Sequence, residues 1–239
     1  MDEMKHPRVL VASPIYDKKH YMFPRWYQNV TRNLTYPNYD WIAVDNSKAQ
    51  SYLVKLRRAG YKKIHGVPRG GNSRIAIGQS SEYIRKYAIR NNFDYIMWIE
   101  SDLLPPPNII ERLMAYQKPI VGAVYEIGFH GSSDAPRKPL IYHVVEDNEG
   151  KQYLDVLPAQ KGYETLNKGL IRTPAMGLGC CLMHKDIFTQ YPFKYSSKSK
   201  LHTDAIFYYD LWKDEVEVWV DTDIVIYHEN SNWKNVKDW

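Results

Sequence analysis

Glu100-Ser101-Asp102 follows the most strongly apolar run of the chain, Tyr95-Ile96-Met97-Trp98-Ile99. Two carboxylates one residue apart at the end of a buried strand repel each other unless a cation or strong donors join them. Hard divalent cations take carboxylate oxygens, and Mg2+ or Mn2+ commonly bridges protein carboxylates to a ligand phosphate. Two more polar elements close apolar runs in the same way: Ser13-Pro14 after Arg8–Ala12, and Asp45-Asn46-Ser47 after Asp40–Val44. An isolated acid after a strand is commonly a turn or cap residue, so Asp45 by itself carries little. Three such ends together carry more, because ligands of open α/β sheets sit outside the carboxyl ends of the strands.

The elements that must hold these residues follow from periodicity and punctuation. Short β-branched runs predict strands at 8–12, 40–45, 63–67 and 95–99. Amphipathic stretches between them predict helices at about 23–34, 51–59 and 73–91. Gly60 stands where a helix C-cap glycine belongs. Strand and helix alternate through the first hundred residues or so, the pattern of an α/β domain with a parallel sheet. Beyond Pro105-Pro106-Pro107 the sequence predicts a helix at 108–117 and a strand at 120–125. Residues 128 to 173 read as an elaborated loop and hairpin region, with short β runs at 140–145 and 153–157. A glycine-interrupted strand at 176–184, a helix at 204–213, strands at 217–220 and 224–227, and a polar tail complete the pattern. No internal repeat and no flexible linker divides the 239 residues, which predicts a single domain.

Composition excludes whole classes. Apolar residues make up 44% and charged residues 25%, which rules out collagen, wholesale disorder and coiled coil. No apolar run approaches the ~18 residues of a membrane span, and no long apolar stretch follows a basic start. A chain without signal peptide or span is expected, and with it a cytoplasmic location. The two cysteines are the neighbours Cys180 and Cys181, so a disulfide framework and a zinc ribbon are excluded and packing on opposite faces of a strand is expected. The net charge is +5. Residues 48 to 90 hold eleven lysines and arginines against one acid, Glu82, leaving the rest of the chain acidic. Such a block fits a phosphate-bearing ligand, a nucleic acid or an anionic surface, or simply a solvated helix face and a basic loop.

The segments RVLVASPIY, WIAVDNSK, GGNSRIAIGQSSEYI and DYIMWIESDLLPPPNIIERL, in this order, resemble the nucleotide-sugar half of a GT-A-fold glycosyltransferase of the family-2-like type. IVGAVYE, PAMGLGCCLMHKDIF and HTDAIFYYDLWKDEVEVWVDTDIVIYH extend the resemblance over roughly residues 7 to 230. It implies a GT-A-like, Rossmann-related α/β fold: a mixed, mainly parallel sheet flanked by helices. A nucleotide-sugar-binding half would span about 7–125 and an acceptor-side half about 126–230, with 231–239 as a tail. By position, Asp45 would hold base or ribose and Arg74 would lie near the nucleotide, while Ser13, Pro14, Glu100, Ser101 and Asp102 would complete the donor site. Glu100 stands where the family more often has Asp, which leaves the metal role mainly with Asp102. Asp204 matches the acid that opens a helix, with Thr203 replacing the preceding Glu. His228 matches the histidine that often completes the metal site.

The resemblance therefore implies a transferase dependent on Mn2+ or Mg2+, moving a sugar from a nucleotide-sugar donor to an acceptor hydroxyl. Inversion is implied, with Asp204 as base and Asp102 and His228 as metal ligands. One well-placed carboxylate suffices for the deprotonation, and the diphosphate leaving group needs a cation and donors. Asp210 is the rival base, and Asp204 and His228 have plainer readings as a helix-start acid and a strand-end histidine. The partners are the donor and a glycan, protein, small-molecule or modified-DNA acceptor. Three alternatives stand beside this: the same activity on modified DNA, a non-catalytic nucleic-acid- or glycan-binding module using the basic block, and a sugar nucleotidyltransferase. The last usually has a Gly-rich loop with Arg and Lys after the first strand, where this chain has Ser13-Pro14-Ile15-Tyr16-Asp17.

Overall fold

A computed structural model of the protein describes residues 6–128, 137–196 and 201–229. The alternation expected of the first half is present as β1 (Val9–Ile15), α1 (Phe23–Gln28), β2 (Tyr39–Asp45), α2 (Ser51–Arg58), β3 (Ile64–Gly66), α3 (Ser73–Arg90) and β4 (Tyr95–Ile99). The second half adds α4 (Ile109–Ala115), β5 (Ile120–Gly128), β6 (Arg137–Pro139), the hairpin β7 (Tyr142–Glu146) and β8 (Gln152–Val156), α5 (Ala159–Glu164) and β9 (Leu170–Thr173). It closes with β10 (Cys180–His184), α6 (Lys185–Gln190), α7 (Thr203–Lys213) and β11 (Val218–Ile226). The tail 231–239 lies outside the described residues. No helix among the described residues is long and apolar enough to cross a membrane.

The main sheet runs β3-β2-β1-β4-β10-β5-β11-β9, with β6 added to β5. β3, β2, β1 and β4 pair in parallel. β10 is antiparallel to both β4 and β5, β11 is parallel to β5, and β9 closes the edge antiparallel to β11. The sheet is thus mixed and mainly parallel within one α/β domain. The carboxyl ends of β1, β2, β4, β5 and β11 share one edge with the amino end of β10, and that shared edge positions the site.

Strand residues alternate between two cores, as a period of two requires when both faces are covered. Val9, Val11, Ala43, Met97, Ile99, Cys180 and Leu182 pack on one face with Trp26, Leu56 and Leu113 from α1, α2 and α4. Leu10, Ala12, Ile42, Val44, Ile96, Trp98 and Cys181 pack on the other with Ile84, Ile187, Phe207 and Leu211 from α3, α6 and α7. Cys180 and Cys181 are free, buried and on opposite faces, as expected. Trp26 is fully buried, and its indole Nε1 donates to the Ile99 carbonyl at 2.9 Å, tying α1 to the end of β4 just before the acidic pair.

Two strands differ from expectation for local reasons. The run from Met176 forms only an isolated bridge to Ile141 before β10 begins at Cys180. Gly177 and Gly179 lie under Tyr125, whose hydroxyl accepts from the Gly179 amide at 3.0 Å. A Cβ on Gly179 would stand 2.8 Å from both the Tyr125 hydroxyl and the Glu100 carboxyl carbon. The expected strands at 217–220 and 224–227 are one strand, β11, whose register against β5 shifts between Asp221 and Val225. At that irregularity the buried Asp221 carboxylate accepts from Arg112 Nε at 2.8 Å and the Tyr116 hydroxyl at 2.9 Å, pinning α4 to the strand.

Candidate active site

β4 ends at Ile99, and the next three residues turn at the carboxyl edge of the sheet. The Glu100 amide donates to the Gly179 carbonyl at 2.7 Å, so the turn is fastened to the segment entering β10. Asp102 is fully buried and Ser101 nearly so. After β11, His228 forms an isolated antiparallel bridge with Leu103, and the Glu229 amide donates to the Asp102 carbonyl at 3.0 Å. Ligand atoms of Glu100, Asp102 and His228 all lie within 4.8 Å of one another.

The donor chemistry fits a divalent cation. His228 Nδ1 lies 2.9 Å from the Glu126 carbonyl, which can only accept, so Nδ1 carries a proton and Nε2 faces Asp102 Oδ2 at 3.3 Å. A metal-binding histidine is commonly oriented in this way, its second nitrogen bound to a backbone carbonyl. Two carboxylates with one imidazole form a donor set that could hold a divalent cation.

A second cation, absent from the sequence reading, belongs to the chain itself. Lys19 ends a short 3-10 turn, Asp17–Lys19, after β1, and its Nζ meets Asp102 Oδ2 at 2.7 Å. These charges set the ionisation of the cluster. Burial would raise the Asp102 carboxyl, but the Lys19 charge and the His228 hydrogen bond outweigh it and hold it well below the usual carboxylate range. Glu100 goes the other way: burial raises it, Lys19 opposes, and the neighbouring Asp102 adds to the rise. Burial would lower His228 and Lys19, yet Asp102 raises both.

A cleft with a cavity volume of about 80 Å³ opens beside this cluster. Of the donor-site residues suggested by the sequence, Pro14, Glu100 and Ser101 line it. Ser13 is buried, with its hydroxyl donating to the Pro14 carbonyl. Asp45 lies behind the wall: its Oδ1 accepts from the Ser47 amide at 2.9 Å and the Ser47 hydroxyl at 2.5 Å, while Asn46 faces the cleft. Burial raises the Asp45 carboxyl in spite of those bonds. Arg74 sits one residue beyond the lining, and its carbonyl accepts from the Thr203 hydroxyl at 3.3 Å.

Lining residues that sequence reasoning left out of the site are Ile15, Tyr16, Lys19, Arg69, Ser73 and Ile77, while Asn46 entered only within Asp45-Asn46-Ser47. The Arg69 guanidinium lies 4.4 Å over the Tyr16 ring, and its Nη1 donates to the Asn46 carbonyl at 3.4 Å. Arg69 Nε, Ser73 Oγ and Arg74 Nε are buried and find no hydrogen-bond partner among the described residues. Ser73 and Arg74 open α3, where the Asn72 side chain accepts from the Ile75 amide at 3.2 Å, and Arg69 precedes the helix across Gly70-Gly71. Unsatisfied donors at the start of an 18-residue helix suit an anionic ligand. The signal for Arg69 was in the sequence, a cation just before Gly70-Gly71 in the basic block. Lys19 had none.

Asp204 opens α7, half-buried, its Oδ1 accepting from the Ala205 amide. Its charge reaches the cluster, adding to the rise at Glu100, Tyr125 and Tyr142. Asp210, the rival base, pairs with Lys194 at 2.7 Å instead.

No protein-family model matches the sequence, and no curated protein matches it either. Solved structures do match in shape. One is the crystal structure of GalNAc-T7 with UDP, GalNAc and Mn2+, at a TM-score of 0.59 and 11% identity, over 95% of this chain and 44% of that one. Another is A197 from STIV, at a TM-score of 0.50 and 10% identity, over 94% of this chain and 87% of that one. This chain thus spans less than half the length of the GalNAc-T7 chain that it matches. At these identities the likeness is one of fold, and it makes the α/β domain described above GT-A-like.

Proposed function

We propose that the protein is a metal-dependent glycosyltransferase that moves a sugar from a nucleotide-sugar donor to an acceptor hydroxyl with inversion. The observation that carries this reading is the meeting of Glu100, Asp102 and His228 at the carboxyl edge of the sheet, beside a cleft lined by unsatisfied donors. The fold shared with a structure holding UDP, GalNAc and Mn2+ supports it. A module that bound nucleic acid or glycan through the basic block alone would not need this cluster.

In this reading Arg69, Ser73 and the start of α3 receive the donor's nucleotide diphosphate, with Arg74 behind them and Asp45 supporting the wall through Ser47 and Asn46. Asp102 and His228, with Glu100 beside them, would hold a Mn2+ or Mg2+ ion, which would supply positive charge for the leaving diphosphate. Asp204 takes the proton of the acceptor hydroxyl. The acceptor oxygen bonds to the anomeric carbon as the bond to the diphosphate oxygen breaks, and the electron pair leaves with the nucleoside diphosphate. The half formed by 7–125 binds the donor and the half formed by 126–230 shapes the acceptor side.

The test is a thermal-shift and turnover panel of UDP, GDP, CDP and dTDP sugars with and without Mn2+. A donor that binds the folded state raises the melting midpoint with its occupancy. Release of nucleoside diphosphate that requires Mn2+ is the expected result. No shift and no release across the panel would reject the transferase reading.

A further inference from the structure

We propose that Lys19 is the resident counter-cation of the acidic pair and the group that a divalent cation must displace, so that this residue sets the protein's metal affinity. The inference rests on the metal-dependent reading above and concerns how the site is kept before metal arrives. Lys19 Nζ lies 2.7 Å from Asp102 Oδ2, the same oxygen that His228 Nε2 approaches to 3.3 Å. Asp102 is fully buried, whereas the Lys19 side chain keeps 18% of its surface exposed. An ammonium and a divalent cation cannot share one carboxylate oxygen without strong repulsion at such distances.

The way out for Lys19 is present. The residue lines the cleft together with Tyr16, Arg69 and Ser73. Its backbone belongs to a single 3-10 turn held by the Lys19 amide to the Tyr16 carbonyl at 2.9 Å and the Asp17 amide to the Ser47 hydroxyl at 2.9 Å. A rotation of the side chain carries the ammonium from Asp102 into the cleft and leaves those bonds intact. Displaced there, it faces the position proposed for the donor's diphosphate. Two carboxylates that would otherwise repel each other in a buried place thus always have a cation, first from the chain and then from solution.

The experiment is Mn2+ titration by calorimetry, without nucleotide, of the wild-type protein and Lys19→Met. The expected result is Mn2+ affinity higher in Lys19→Met by about tenfold or more, within the range of ordinary coupling between competing ligands. Equal or weaker affinity in the variant, or no Mn2+ bound by either protein, overturns the inference. Should Lys19→Met not fold, acetylation of the wild-type protein followed by mass spectrometry decides. Acetylation of Lys19 should rise several-fold when Mn2+ is added, and an unchanged level overturns the inference. Neither measurement uses a sugar nucleotide. Tighter Mn2+ binding in Lys19→Met without any sugar-nucleotide turnover would keep this inference and remove the transferase reading. Turnover with Mn2+ affinity indifferent to Lys19 would do the reverse.

Discussion

His228 Nε2 faces Asp102 Oδ2 at 3.3 Å because the segment after β11 pairs with the segment after β4, through the Leu103–His228 bridge and the Glu229 amide on the Asp102 carbonyl. The imidazole is aimed from behind by the Glu126 carbonyl at the end of β5. Three strand ends therefore fix one acid–histidine contact. His228→Ala is expected to weaken Mn2+ binding by about 10- to 100-fold or more while leaving both backbone contacts intact. Calorimetry measures the first; a cooperative melt in chelator at a lowered midpoint, as expected when a buried imidazole and its bond to the Glu126 carbonyl are lost, checks the second.

Asp102→Asn has two expected effects. Metal-stimulated turnover should disappear. The fold should weaken only slightly, by about 1 kcal/mol or less, because the Lys19 ammonium loses its charged partner but can turn into the cleft that it lines. Chemical denaturation in chelator reads the second effect. A loss of several kcal/mol would show that Lys19 is locked against Asp102 and cannot swing away.

Asp204→Asn keeps the shape of a side chain in the first turn of α7, whose N-cap is His202. Donor affinity should stay near the wild-type level while transfer falls by about 10²-fold or more, the scale of a lost general base. Asp210→Asn loses the ion pair with Lys194 and should leave the rate close to wild type. Full activity in Asp204→Asn together with loss in Asp210→Asn would exchange the two assignments.

Arg69 and Arg74 separate by position. Arg69 lines the cleft over Tyr16, and Arg74 lies one step behind. Arg69→Ala is expected to raise the donor KM by about tenfold or more, the worth of a charge-assisted hydrogen bond, with a smaller change in kcat. Arg74→Ala should raise it less. Equal effects in steady-state kinetics would place both guanidinium groups on the donor.

Acid stability has a marker away from the site. Glu82 accepts from Arg85 Nε at 2.7 Å, Arg85 Nη2 at 2.8 Å and the Phe193 amide at 3.1 Å. Burial would raise its carboxyl, but the Arg85 hydrogen bonds and charge outweigh burial and lower it. The unfolded chain therefore binds a proton more readily than the folded one. The stabilisation is present above the ordinary glutamate range and is lost as pH falls through the depressed folded value. Melting midpoints of the wild-type protein and Glu82→Gln should differ most near neutrality and converge as pH falls through that depressed value. A gap independent of pH would mean that packing, not charge, holds this residue.

Much of this protein is determined by its sequence alone. The β-branched runs and the helices between them place β1, β2, β4 and α3 within a few residues, since each depends on local periodicity and punctuation such as Gly60 after α2, which adopts φ +86°. The acids after β4 were legible for the same reason: a polar triplet closing a buried strand stands out in one dimension. His228 was reached only through the order of segments, which carries information across the chain that no local spacing holds. The tertiary structure decided the rest. Lys19 reaches Asp102, Arg69 rather than Arg74 lines the cleft, and Gly179 makes room for Glu100 and Tyr125, each because parallel strand ends bring distant turns to one edge. A lysine in a turn reads as a solvated charge until a buried carboxylate is placed against it, and that placement follows from the pairing of β1 with β4, not from anything in the residues around Lys19.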